Sequence, residues 1–122
     1  MEKYNLNVKN FKLKKEDIKP LIGGEANRGC FATDKITIEG KKVGYMHRLE
    51  PDKESGFPDS GWRFFAGDED EKYLIDGEHI EIFDLNTICN YDPEIIPFLN
   101  APYNTAYYRN ENGKFVEEKI EE

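Results

Sequence analysis

The sequence is poor in the residues that carry covalent and metal chemistry: of 122 residues, two are serine, two histidine and two cysteine. Ser55 and Ser60 both lie in a proline- and glycine-rich stretch, and neither has the G-x-S-x-G setting of a nucleophile elbow. Cys30 can be paired on paper with His47 or His79. A thiol among apolar neighbours with no cation beside it is nevertheless inert, so a buried thiol is the expected role. The two histidines share no ligand spacing and no C-x-x-C exists, which argues against zinc. The run Gly67 to Glu71 is rich in the oxygen ligands calcium prefers. Counted from Asp68, however, the sixth residue is Tyr73 and the twelfth His79, where an EF-hand needs Gly and Glu. Gly23-Gly24 lacks the lysine and following helix of a phosphate loop. With 25 acids in the chain, some carboxylate pair is inevitable, so a glycosidase pair has no specificity here. No catalytic set, cofactor or metal is expected.

Long apolar runs are also missing. No stretch approaches the ~18 residues of a membrane span, and no apolar segment follows the initial charges, so neither an anchor nor a signal peptide is predicted. Cys30 and Cys89, isolated from each other, read as buried thiols in a reducing compartment. The expected location is the cytoplasm.

What the chain does have is aromatic bulk and negative charge. Eight Phe, seven Tyr and one Trp supply a core from few positions, so an ordered domain is expected. The length suits one domain, placed at 11–118, with residues 1–10 a flexible arm and 119–122 a frayed acidic tail. The net charge is −8, and it is unevenly placed. Residues 1–20 carry six Lys against three acids, whereas Ala66 to Glu94 holds ten carboxylates and one Lys. Such a field repels phosphate backbones and anionic membranes and suits a basic protein surface. Acidity that only maintains solubility is the plainer alternative.

Leu13 to Ile22 reads as a short helix that Pro20 distorts and Gly23-Gly24 closes. Gly29 to Thr33 is a first strand, followed by a connection from Asp34 to Gly40. Val43 to Leu49 alternates, with Val43, Tyr45 and His47 on one face. Pro51 to Ser60 is an exposed loop. Gly61 to Ala66 is the clearest strand, placing Trp62 and Phe64 on one face and Arg63 and Phe65 on the other. Asp68 to Glu71 open a turn or short helix to Ile75, and His79 to Leu85 alternates again. Asn86 is read as the cap of a helix through Cys89, and Asp92-Pro93 as a second helix start. Thr105 to Arg109 and Lys114 to Glu118 flank Asn112-Gly113, a hairpin signal. The sum is an α+β domain: a mainly antiparallel sheet of four to six strands, short helices on one side, and a C-terminal hairpin.

One cluster stands out. Trp62, Arg63, Phe64 and Phe65 run almost directly into Gly67 and four acids, and an aromatic anchor beside a charged rim is how interfaces concentrate energy. The competing reading is that these rings simply form the core.

The same residues carry a family resemblance. Gly29 to Ile36, Val43 to Met46 with Arg48 and Glu50-Pro51-Asp52, Asp59 to Glu69, and Tyr91-Asp92-Pro93 with Ile95-Ile96-Pro97 resemble the bacterial immunity protein 33 domain, formerly a domain of unknown function. The similarity runs from about Phe11 to Val116. It departs at Tyr103 to Asn110, where a smaller, more acidic segment is expected. The resemblance implies a non-enzymatic protein that binds a cognate toxin and blocks it, and it brings no catalytic residues. The contact residues expected for a basic partner are Asp68, Glu69, Asp70 and Glu71, with Glu78 and Glu81 next. Two alternatives remain: a small-ligand or regulatory domain with a pocket lined by Trp62, Tyr45 and His47, and a hydrolase of unrecognised type using Cys30 or His47.

Overall fold

In the computed structural model, which describes residues 9–51, 53–54 and 56–120, the stretches read as strands form one six-stranded sheet. Its strands are β1 (Gly29–Thr33), β2 (Tyr45–Arg48), β3 (Asp59–Phe65), β4 (Ile80–Asp84), β5 (Thr105–Arg109) and β6 (Phe115–Lys119). The spatial order is β4-β1-β3-β2-β5-β6. Every neighbouring pair is antiparallel except β1 and β3, which run parallel inside the sheet, one strand from its β4 edge. Among the described residues, three short α-helices, α1 (Asp34–Thr37), α2 (Glu71–Ile75) and α3 (Leu85–Tyr91), and four 3₁₀ turns connect them. The fold is α+β with a C-terminal hairpin, as expected.

The core lies on one face of the sheet. Cys30 and Ala32 from β1, Met46 from β2, and Trp62 and Phe64 from β3 meet Ile36 of α1, Leu85, Ile88 and Cys89 of α3, and Ile95. Both cysteines are free and buried there. Each large apolar side chain so enclosed stabilises the fold by about 1.5–3 kcal/mol relative to exposure. Trp62 brings a polar group into this layer and satisfies it by donating Nε1–H to the Leu99 carbonyl at 3.1 Å.

The acidic stretch has a local explanation. Asp70 accepts from the Tyr73 amide, Asp76 from Glu78, Asp84 from Thr87 and Asp92 from Glu94. Four aspartates thus each cap a helix or 3₁₀ start, satisfying amides that the helix itself leaves without partners. α3 starts two residues earlier than expected, and its cap is Asp84, not Asn86.

Asn86 has another task, and it corrects the expectation for the N-terminal segment. Leu13 to Ile22 is not a helix; only Lys15–Asp17 makes a 3₁₀ turn, and Ile18 is extended. Its backbone groups are satisfied by α3 instead. The Asn86 amide oxygen accepts from Leu21 and Ile22, and its NH₂ donates to the Lys19 carbonyl. Asn90 accepts from Lys19 N–H, and the Tyr91 hydroxyl accepts from Leu13 N–H while donating to Thr37. With Pro20 unable to extend a helical ladder, these side-chain partners win.

Three smaller differences follow. The connection after β1 contains α1, and β3 begins at Asp59, so Asp59 and Ser60 are buried rather than in the exposed loop. The hairpin loop is five residues long, since Arg109 pairs Phe115. The Asn110 side chain organises it by accepting from the amides of Asn112 and Lys114. Val43, expected to share the face of Tyr45 and His47, is fully buried in the core cluster. The expected arm lies mostly outside the described residues, as do the last two residues of the expected tail.

Candidate interaction surface

Neighbouring residues of a strand point to opposite faces. The doublets Phe64-Phe65 and Tyr107-Tyr108 must therefore place one ring in the core and one on the far side. The register confirms this: Phe64 lies opposite Met46, and Phe65 opposite Tyr45. Tyr107 pairs Met46, while Tyr108 pairs Tyr45. Among the described residues, no helix packs over the middle of the second face. An antiparallel sheet with one open face normally presents polar residues there. This one presents Phe31, Tyr45, His47, Phe65, Tyr108, Ile80 and Ile82, interrupted by Arg63. Tyr108 is 43% and Ile82 52% exposed. Half-buried and exposed apolar residues grouped on one face in this way are the kind of patch that marks interaction sites.

The face is a trough. At one end Phe57, from the loop before β3, packs edge-on against Phe31 with ring centroids 5.9 Å apart. At the other end the segment after β3 folds across the sheet. Glu69 anchors it, accepting from the Thr33 hydroxyl and from the amides of Ala66 and Gly67. Two hollows adjoin on the floor. One, of about 380 Å³, is lined by Phe31, Thr33, Arg63, Phe65 and Ile80. The other, of about 300 Å³, is lined by Tyr45, His47, Phe65, Gly67, Glu69 and Leu74.

Electrostatics differ between them. Arg63 is held by both oxygens of Asp59 at 3.0 and 2.9 Å and lies 4.4 Å from the Phe31 ring centre. Burial pushes the Asp59 carboxyl up, but Arg63 and the Gly61 amide more than offset this and hold it below its ordinary value. The His47 imidazole is held below its ordinary value of 6.5, first by burial and then by the charge of Arg63. It is a neutral ring at neutral pH. Burial, and after it the charge of Glu118, raises the Tyr45 hydroxyl.

The expected contact residues are only partly brought together. Asp68 is paired with Lys35 at 3.3 Å and Lys41 at 2.8 Å, and Glu81 with Lys9 at 2.6 Å, on the helix-bearing face. Glu69 is at the rim of the trough, Asp70 caps α2, and Glu71 and Glu78 are exposed. Tyr45 and His47 line one hollow, but Trp62 does not join them: it is 0% exposed on the opposite face, and Phe65 takes its place. Cys30 also faces the core, so the sheet separates it from His47. Burial pushes its thiol well above the ordinary value, which leaves it un-ionised and inert. Among the described residues, no three His, Cys, Asp or Glu converge in a metal-holding group. No described helix is long and apolar enough to cross a membrane.

A family model, the immunity protein Imm33 domain, matches residues 30–119. The chain belongs to the Imm33 domain family. The matched span reaches from β1 to the last residue of β6, so the whole open face and both hollows lie within the Imm33 domain. Comparison with curated proteins and with solved structures found no match. Tyr108 is among the residues of the face that sequence reasoning missed, together with Phe31, Ile80 and Ile82. The signal for Tyr108 was the Tyr107-Tyr108 doublet, which in any strand must put one ring outside.

Proposed function

We propose that this Imm33 domain is a non-enzymatic immunity-type protein that binds a protein toxin in the cytoplasm of the producing bacterium and blocks it, with the open sheet face as the contact surface. The observation that carries the reading is an aromatic face that the described residues leave uncovered in a domain of an immunity family. Water-exposed rings at the centre of a patch supply most of the energy of an interface, while a charged rim supplies orientation and speed of encounter. The net charge of −8 favours a basic partner. Glu69, Asp70 and Glu71 lie beside the trough. Asp68 and Glu81, already paired with lysines, contribute less than their sequence position implied.

The test is co-expression with a toxin encoded beside the gene. Wild type is expected to restore growth and to co-elute with the toxin. Phe65→Asp, which puts a charge in the middle of the trough, is expected to abolish both while keeping the far-UV circular dichroism of the fold. No rescue and no complex with wild-type protein would reject the reading. A second reading, a small-ligand or regulatory domain, is favoured by the size of the two hollows, which falls in the range of ligand sites. A thermal shift with a metabolite that Phe65→Asp removes, in the absence of toxin binding, would select it.

A further inference from the structure

We infer that the hollow walled by Tyr45, His47 and Phe65 is a receptor for one cationic side chain of the protein partner, an arginine above all. The inference rests on the open face being the partner surface and says what the partner must bring to it. Three rings surround the space. Tyr45 and His47 have centroids 5.6 Å apart at 77°, Tyr45 and Phe65 5.8 Å apart at 47°, and His47 and Phe65 5.6 Å apart at 48°. They are tilted against one another rather than stacked, so their faces stay available, and a ring face attracts a cation.

Carboxylates decide between a cation and a merely apolar occupant. Glu69 lines the hollow, fixed in place by three donors, and no cation among the described residues pairs with it. Glu118 of β6 lies opposite Ala106, itself opposite His47, and is close enough to raise the Tyr45 hydroxyl. Among the described cations, Lys35 and Lys41 are committed to Asp68 and Arg63 to Asp59. The hollow is thus aromatic, with the Glu69 and Glu118 carboxylates beside it and the Arg63 charge, already neutralised by Asp59, reaching it only at His47, and no cationic side chain among the described residues fills it. The neighbouring hollow shows the complete arrangement within the protein: a guanidinium over a ring, with a carboxylate holding its edge, in Arg63, Phe31 and Asp59. An arginine from a partner would build the same unit a second time. A planar guanidinium suits the splayed rings better than the compact, strongly hydrated ammonium of lysine.

The experiment is a heteronuclear NMR titration of the intact chain with N-acetyl-arginine methylamide, and in parallel with the citrulline analogue, which has nearly the same shape and no charge. The arginine probe is expected to shift the resonances of Tyr45, His47 and Phe65 and to bind at least tenfold more tightly than the citrulline probe. Phe65→Leu keeps an apolar wall and removes the ring face, and should weaken the arginine probe about threefold or more. Glu118→Gln, on an exposed edge position, should weaken it and reduce its salt dependence. Equal binding of the two probes would overturn the inference in favour of a simple apolar hollow, and so would an absence of shifts at the three rings. Toxin binding by wild type without response to the arginine probe defeats this inference alone. Binding of the probe without any toxin complex supports the cation receptor and defeats the toxin reading.

Discussion

Asp92 is the residue on which most segments converge. It is completely buried, bonds Arg109 Nη2 at 2.7 Å, accepts from the Val43 amide at 3.0 Å, and caps the following 3₁₀ turn at Glu94. Arg109 completes the knot by donating to the Val43 carbonyl, pairing with Glu94 and lying 4.2 Å from the Phe115 ring centre. Three parts of the chain, the lead into β2, the 3₁₀ turn and β5, are thereby fixed by one carboxylate. Removing one member of a buried charge pair leaves the other uncompensated, which costs about 3–5 kcal/mol. Asp92→Ala also strips two amides of their acceptor. The expected loss is near the lower end of that range, because exposed Glu94 still holds one edge of Arg109. Asp92→Asn, which keeps an acceptor oxygen, should lose less. Urea denaturation midpoints of the two variants check the order, and equal midpoints for wild type and Asp92→Ala would contradict it.

At the level of elements, the polar side chains of α3 stand in for a helix that the N-terminal segment does not form. Asn86→Ala deprives Leu21 and Ile22 of their acceptor and Lys19 of a donor. Each orphaned group costs about 1–3 kcal/mol when buried and less when water can replace the lost partner. The segment is half exposed, so the expected effect is local. Amides of Lys19, Leu21 and Ile22 should exchange with solvent at least tenfold faster, while amides of β1 and β3 keep their protection. Uniform acceleration across the sheet would show instead that the strap is part of the global unit. This strap explains why the helix expectation failed. Leu13, Ile18, Leu21 and Ile22 have helical spacing, but nothing in the local sequence reveals that side chains 64–78 positions away will take the backbone hydrogen bonds. The strands were legible because alternation is a local property of five to seven residues. So was the outward direction of Arg63 and Phe65, which follows from Trp62 and Phe64 facing inward. Cross-strand parity was not legible. Only the register, Met46 against Phe64 rather than Tyr45 against Phe64, sends Trp62 to the far side from Tyr45 and His47. A shift of one residue would have placed all three together.

For the whole molecule, the buried titratable groups define a window of pH in which the fold is most stable. His47 has a folded pKa below the ordinary 6.5. The unfolded chain therefore takes up its proton first, and acid favours unfolding. The His47 contribution is fully present above 6.5 and is lost as pH falls from there through the folded value. Asp59, also lowered, extends the loss below its ordinary 3.8. On the alkaline side the sign reverses. Burial pushes Cys89 from 9.0 to about 11 and Cys30 well above 9.0, and pushes Tyr73, with the charges of Asp34, Glu39 and Glu69 behind it, from 10.0 to about 12. These groups ionise earlier in the unfolded chain, so stability falls as pH rises beyond 9 and continues to fall through 11. The expected profile from urea denaturation is flat between about pH 7 and 9, with an acid limb beginning near 6.5 that is no steeper than one proton allows, about 1.4 kcal/mol per pH unit. His47→Gln removes the titrating group and should move the start of that limb down toward pH 4, where Asp59 takes over. An unchanged limb in the variant would mean that carboxylates alone set it. The same substitution keeps the side chain polar in the open face, so toxin affinity that wild type loses on acidification below the ordinary 6.5 of His47, and that the variant keeps at the same pH, would trace the effect to a positive charge appearing on the floor of the trough, where a cationic partner meets it.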